Sequence, residues 1–140
     1  MAVRSFDEVS VGETFGPTAV PVRRETLVAY ANASGDQNPI HQDEDFAKTV
    51  GLPDIIAHGM WTMGAAGSVL EQWLGDGGRI VEFGTRFTSM VVVPREGTEI
   101  VVTGTVKSLY EESRRATVEL GVTANDTKVL GRCQAVVALA

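Results

Sequence analysis

The chain is poor in the side chains that build metal centres and disulfides: it has one cysteine and two histidines among 140 residues. A lone Cys133 excludes an internal disulfide. Two histidines and one cysteine, without metal-ligand spacing among them, argue against a metal site. Long apolar runs are missing as well, and none approaches the length that spans a bilayer. Arg4, Asp7 and Glu8 come early with no apolar stretch behind them, so the start of the chain does not read as a secretory signal. Excess positive charge is absent. A net charge of −6 argues against a nucleic-acid partner, which favours a basic face. There is no Gly-rich nucleotide loop and no Gly-x-Ser-x-Gly elbow. Repeats, linkers and low-complexity tracts are also lacking. What remains is an ordinary globular balance, 44% hydrophobic and 21% charged. The length suits a single domain over residues 1–140. Together these features point to a cytoplasmic enzyme or binding domain.

Hydrophobic periodicity sets the expected elements. Glu13 to Val22 reads as a strand interrupted at Gly16-Pro17, and Thr26 to Ala33 as a short helix. Asp43 to Val50 reads as a second short helix, begun at Asp43 or Asp45 and ended by Gly51-Leu52-Pro53. His58 to Leu74 is apolar nearly all round, which predicts a buried helix stopped at Gly75. Gly59, Gly64 and Gly67 interrupt it, each costing about 1 kcal/mol relative to Ala. Glycines at that cost suggest close approach of a backbone or a ligand. Strands follow at Arg79–Thr88, Thr98–Leu109, Ala116–Ala124 and Val129–Leu139, with Asn125-Asp126 as a hairpin turn. In the third of these, Ala116, Val118, Leu120, Val122 and Ala124 alternate with more polar residues. Such alternation predicts an antiparallel sheet with one buried face packed on the long helix, an α+β arrangement.

The segment Tyr30-Ala-Asn-Ala-Ser-Gly-Asp-Gln-Asn-Pro-Ile-His41 holds the most specific chemistry. Gly35 and Pro39 break a helix there. Asp36 and His41 therefore lie on an irregular loop whose turns can aim a carboxylate and an imidazole at one point. Such a pair can activate a water or move a proton to and from carbon. The bland alternative is that Ser34-Gly35-Asp36 ends a helix and His41 caps the next segment.

The pattern aromatic-x-x-x-Ser-Gly-Asp-x-Asn-Pro-Ile-His, with Ala47 beyond it, resembles the MaoC-like (R)-specific enoyl-thioester hydratases and dehydratases, the hydratase 2 family. The likeness runs from Phe6 to the C-terminus and includes Ile56-Ala57-His58-Gly59-Met60. Within the family it is strongest to the catalytic B-type subunits of (3R)-hydroxyacyl-ACP dehydratases. The resemblance implies a hot-dog fold, in which the sheet wraps a central helix, and a dimer with a like or unlike subunit. It implies interconversion of (3R)-hydroxyacyl and trans-2-enoyl thioesters, carried on CoA or an acyl carrier protein, without a metal or organic cofactor. Asp36 and His41 would be catalytic, and the backbone N–H of Gly59 would supply the oxyanion hole. Gly59 also falls where a helix has unpaired N–H groups. Its alternative role is tight packing against the sheet.

Around these, Asn38 is expected to brace the loop by side-chain to backbone hydrogen bonds. His58 reads first as a capping or packing residue. Met60, Trp61 and Met63 read as core, or else as the wall of an acyl tunnel. Cys133 reads as a small buried hydrophobe. Arg86, Arg95, Lys107, Arg114, Arg115 and Arg132 could touch a phosphopantetheine arm or simply form a solvated face. Two other functions fit the same scaffold: a thioesterase, which would not need the Asp36–His41 spacing, and a non-catalytic subunit that completes a partner's tunnel.

Overall fold

The computed structural model describes residues 2–140. Three helices precede most of the sheet: α1 (Arg24–Ser34), α2 (Glu44–Thr49) and α3 (Gly59–Leu74). The strands are β1 (Thr14–Val22), β2 (Ile80–Phe87), β3 (Thr98–Tyr110), β4 (Arg115–Ala124) and β5 (Thr127–Ala138). They form one five-stranded sheet in the order β1-β3-β4-β5-β2, antiparallel throughout. β1 and β2 are thus the edges. Asn125 and Asp126 both take positive φ, at 50° and 62°, as a tight two-residue hairpin turn between β4 and β5 requires.

Alternation along the strands produces the buried face. Ala116, Val118, Leu120, Val122 and Ala124 of β4 are all buried, beside Ile100, Val102 and Val106 of β3. These residues form one core with Ala66, Val69, Leu70 and Leu74 of α3. The long helix therefore lies across the concave face of the sheet, which is the hot-dog arrangement expected. One strand glycine has a packing cause. The ring of Phe15 from β1 sits over Gly104 of β3, where a Cβ would come within 2.0 Å of it. The same Phe15 ring stacks on Trp73 of α3 at 4.9 Å, tying an edge strand to the helix.

Two expectations change. α3 is not buried on every side: Met60 is 58% exposed, and Gly64, Ser68, Glu71 and Gln72 also face outward. Its apolar composition exceeds what one chain covers. Its glycines also divide. A Cβ at Gly59 would meet the ring of Phe87 at 3.0 Å, and one at Gly67 the ring of Phe83 at 3.1 Å, while Gly64 faces open space. The close neighbours are aromatic side chains of β2, not backbone. Val81 and Phe87 of that strand are themselves largely exposed, because β2 is an edge strand and is irregular at two points along its pairing with β5.

Leu70 is fully buried between helix and sheet. Leu70→Ala is expected to lower unfolding free energy by about 2–5 kcal/mol, the cost of lost transfer energy plus a cavity. Gln72→Ala, on the outward side of the same helix, is expected to stay within about 0.5 kcal/mol. Urea unfolding of both variants checks this, and equal losses would contradict the placement of the core.

Candidate active site

α1 ends because Gly35 adopts φ 85°, a left-handed conformation that glycine takes without strain. The loop that follows is held by its own short side chains. The Ser34 hydroxyl accepts from the N–H of Asp36 at 3.1 Å, and the Asp36 carboxylate accepts from the N–H of Asn38 at 3.2 Å. The Asn38 side-chain oxygen accepts from the N–H of Ile40 at 3.2 Å. A single helical turn over Pro39–His41 then directs the ring of His41 inward, where the residue is only 8% exposed.

An extended segment, residues 55–57, receives that ring. It is anchored to residues 91–93 by hydrogen bonds from the N–H of Ala57 to the Val91 carbonyl and from the N–H of Val93 to the Ile55 carbonyl. The Nδ1 of His41 lies 2.6 Å from the carbonyl oxygen of Ile56. A carbonyl only accepts, so Nδ1 carries the proton and Nε2 is left with a free lone pair.

His58 follows this segment and stands at the N-cap of α3 without capping it through its side chain. It is buried, stacks on His41 with ring centroids 3.8 Å apart, and its Nε2–H donates to the backbone carbonyl of Asp36 at 3.2 Å. Burial pushes its imidazole below the usual histidine range, against the pull of that carbonyl, and the neighbouring His41 adds to the depression. Of the two roles expected for it, capping and packing, the first is absent, and the ring touches both members of the loop pair.

Asp36, His41 and His58 place ligand atoms within 4.8 Å of one another. This distance alone suits either proton transfer or a metal. The two rings are stacked at an interplanar angle of 24°. One nitrogen of each ring is already committed to a carbonyl.

His41 and Gly59 share a cavity of about 320 Å³, also walled by Ile56, Thr62, Phe87 and Leu130. Gly59 is the first residue of α3, where N–H groups have no partner within the helix. Asp36 is exposed and sits at the side of His41 rather than in the cavity wall. Met60 and Trp61 line a different hollow, about 620 Å³, between β1, α1 and α3, and Met63 lines neither. Cys133 is buried, and burial raises its thiol pKa. Of the arginines considered for a phosphate, Arg95 pairs with Glu44, and Arg114 with Asp7 and the Ala140 carbonyl.

One feature escaped the sequence entirely. Arg24 at the start of α1 binds Glu44 at the start of α2 (3.1 Å) and Asp54 (2.7 Å), and its Nε donates to the Val93 carbonyl. Arg95 holds the other oxygen of Glu44 at 2.8 Å. This brace ties both flanks of the loop to the segment that receives His41. No spacing announces it, since the four residues are far apart in the chain. Thr62 was missed too, although it lies one helical turn from His58, on the side of α3 that lines the cavity.

A central helix packed on an antiparallel sheet, with an imidazole and a helix N-terminus facing one cavity, is the architecture of a hot-dog domain. The comparisons with known proteins agree. The model of the MaoC like domain matches residues 7–126, and the chain belongs to that family. It is similar over 99% of its length to a solved MaoC-like dehydratase (37% identity, TM-score 0.96), of which it spans 43%. It also resembles an (R)-hydratase from A. caviae involved in PHA biosynthesis, at 27% identity and TM-score 0.81, over 95% of this chain and 98% of that one. The 3-hydroxyacyl-thioester dehydratase X of Mycobacterium tuberculosis is 40% identical over 65 residues, 46% of this chain and 22% of that protein. Several other curated relatives, fatty acid synthase β subunits among them, are much longer chains, of which this one spans 3–4%.

Glu44 offers a test of the brace. Hydrogen bonds from Arg95 and then Arg24 pull its carboxyl from 4.5 down to about 2. A depressed carboxyl contributes stability that is complete above its unfolded value and is lost as pH falls through its folded value. The stability gap between wild type and Glu44→Gln should therefore be constant above pH 4.5 and close as pH approaches 2. Urea midpoints across that range measure it. A gap that is unchanged or widens on acidification would contradict the brace.

Proposed function

We propose that this chain is a hydro-lyase that interconverts (3R)-hydroxyacyl thioesters and trans-2-enoyl thioesters, with Asp36 and His41 as the proton-transfer pair and the N–H of Gly59 as oxyanion donor. The observation that carries this reading is the cavity shared by Gly59 and a His41 whose Nδ1 is committed to the Ile56 carbonyl. In the hydration direction, water loses a proton to one member of the pair as its oxygen bonds to C3. The C2=C3 electron pair moves toward C1, and negative charge gathers on the thioester oxygen. A proton from the pair then adds to C2. A positioned acid or base contributes roughly 10²–10⁴-fold, and one preorganised oxyanion donor about 3–4 kcal/mol. Both are needed for the reaction to be fast.

The names of the relatives support the same chemistry: a dehydratase of 3-hydroxyacyl thioesters and an (R)-hydratase. Acyl-chain metabolism in the cytoplasm is the setting this reading implies. The carrier is CoA or an acyl carrier protein, and the chemistry calls for neither metal nor organic cofactor. Among the described residues no helix is long and apolar enough to cross a membrane. A dimer with a like or unlike hot-dog subunit is part of the reading, supported by the exposed Val81 and Phe87 on the β2 edge.

Asp36→Asn and His41→Gln are each expected to lower hydration of crotonyl-CoA by roughly 10²-fold or more while circular dichroism and melting temperature hold. Loss of the enoyl-thioester absorbance, with the chirality of the product determined, is the measurement. Near wild-type turnover in either variant would count against the pair. Release of free thiol from a saturated acyl-CoA would instead mark a thioesterase.

A further inference from the structure

Among the described residues, His58 is the one buried ring whose chemistry the reaction above leaves unused. Its Nε2–H holds the Asp36 carbonyl, so Nδ1 is an unprotonated acceptor. That Nδ1 is buried and has no hydrogen-bond partner, the only such side-chain atom among the described residues. A buried acceptor without a donor is costly. A phenylalanine or leucine could fill the space without that penalty, so packing alone does not account for a histidine. Two contacts do. Nε2–H fixes the backbone of the loop at Asp36, and the ring face lies on His41 at 3.8 Å.

We propose that His58 is a positioning residue for the thioester chemistry: it tethers the Asp36 loop to the start of α3 and backs the His41 ring with a neutral aromatic face. The assignment rests on the hydration reading. The titratable groups around His58 are Tyr30 of α1, whose ring tilts against it at 4.7 Å, together with Asp36 and His41 of the loop. When His41 takes a proton during turnover, an uncharged ring face beside it favours the cation, whereas a second imidazolium at that distance would repel it. Burial lowers the pKa of His58, which favours the uncharged form. Its empty Nδ1 supports the same outcome, because a proton placed there would find no acceptor.

The two contacts can be separated. His58→Gln keeps an N–H donor at the level of Nε2 and loses the aromatic face. His58→Phe keeps the face and loses the tether. Measured on crotonyl-CoA and trans-2-octenoyl-CoA, kcat is expected to fall about 10–100-fold in each, the scale of a misplaced reacting group, with KM changed little. The acid limb of the kcat/KM profile, which reports the base of the free enzyme, is expected to move to lower pH in His58→Gln and to stay in place in His58→Phe. Folded variants with kcat within about twofold of wild type and an unmoved acid limb would overturn the assignment. If the wild type itself hydrates neither thioester, the reaction falls and His58's role falls with it; active wild type with unaffected variants removes His58 alone. Wild-type imidazole nitrogen NMR supplies an arm independent of variant folding, since the chain has only two histidines and His41→Gln assigns them. The expected spectrum shows His58 neutral with its proton on Nε2 throughout the range in which His41 protonates. A proton on Nδ1, or His58 charging before His41, would overturn the proposal.

Discussion

The hydrogen bond from the Nδ1–H of His41 to the carbonyl of Ile56 decides which ring nitrogen is free to accept a proton. Without it the imidazole could rotate or exchange tautomers, and the carboxylate beside it would face a donor as often as an acceptor. The proposed chemistry therefore depends on the position of one backbone oxygen. That oxygen belongs to a segment too short to hold itself, bonded to residues 91–93 on one side and to the Ile40 carbonyl on the other. The sheet and α3 matter to the site chiefly because they keep this segment still.

Two devices outside the core complete that task. The ion-pair brace of Arg24, Glu44, Asp54 and Arg95 gathers the start of α1, the start of α2 and both sides of the receiving segment. Exposed pairs of this kind contribute modestly one at a time, but a network on a partly buried arginine also sets direction. Inside the brace, His58 carries the position of Asp36 to the first turn of α3. Loop, receiving segment and helix N-terminus are thus linked by side chains that reach across elements.

The alternating strands were legible because a period of two with one apolar face has a single sheet solution, and β4 follows it residue by residue, β3 as far as Val106, where its pairing register shifts. Helix ends were legible at Gly35, Asp43 and Gly75, where a left-handed glycine or a capping carboxylate acts within one turn of chain. The loop motif placed Asp36, Asn38 and His41 together because their contacts are local. Burial of α3 was overestimated, since composition reports how apolar a helix is and not how much of it one chain covers. The brace was invisible, as its partners meet only after folding. His58 was read as capping or packing because a lone histidine before a helix carries no signal of the carbonyl twenty-two residues upstream that it holds.

The central claim is that one cavity presents His41 Nε2 and the N–H of Gly59 to the same thioester. A crystal structure with a stable analogue of a 3-hydroxyacyl thioester tests it most directly. The account predicts the analogue's carbonyl oxygen about 2.7–3.1 Å from the Gly59 nitrogen, with its C3 oxygen within hydrogen-bond reach of His41 Nε2 and Asp36. An analogue seated instead in the hollow between β1 and α3, or with its carbonyl turned away from α3, would contradict it.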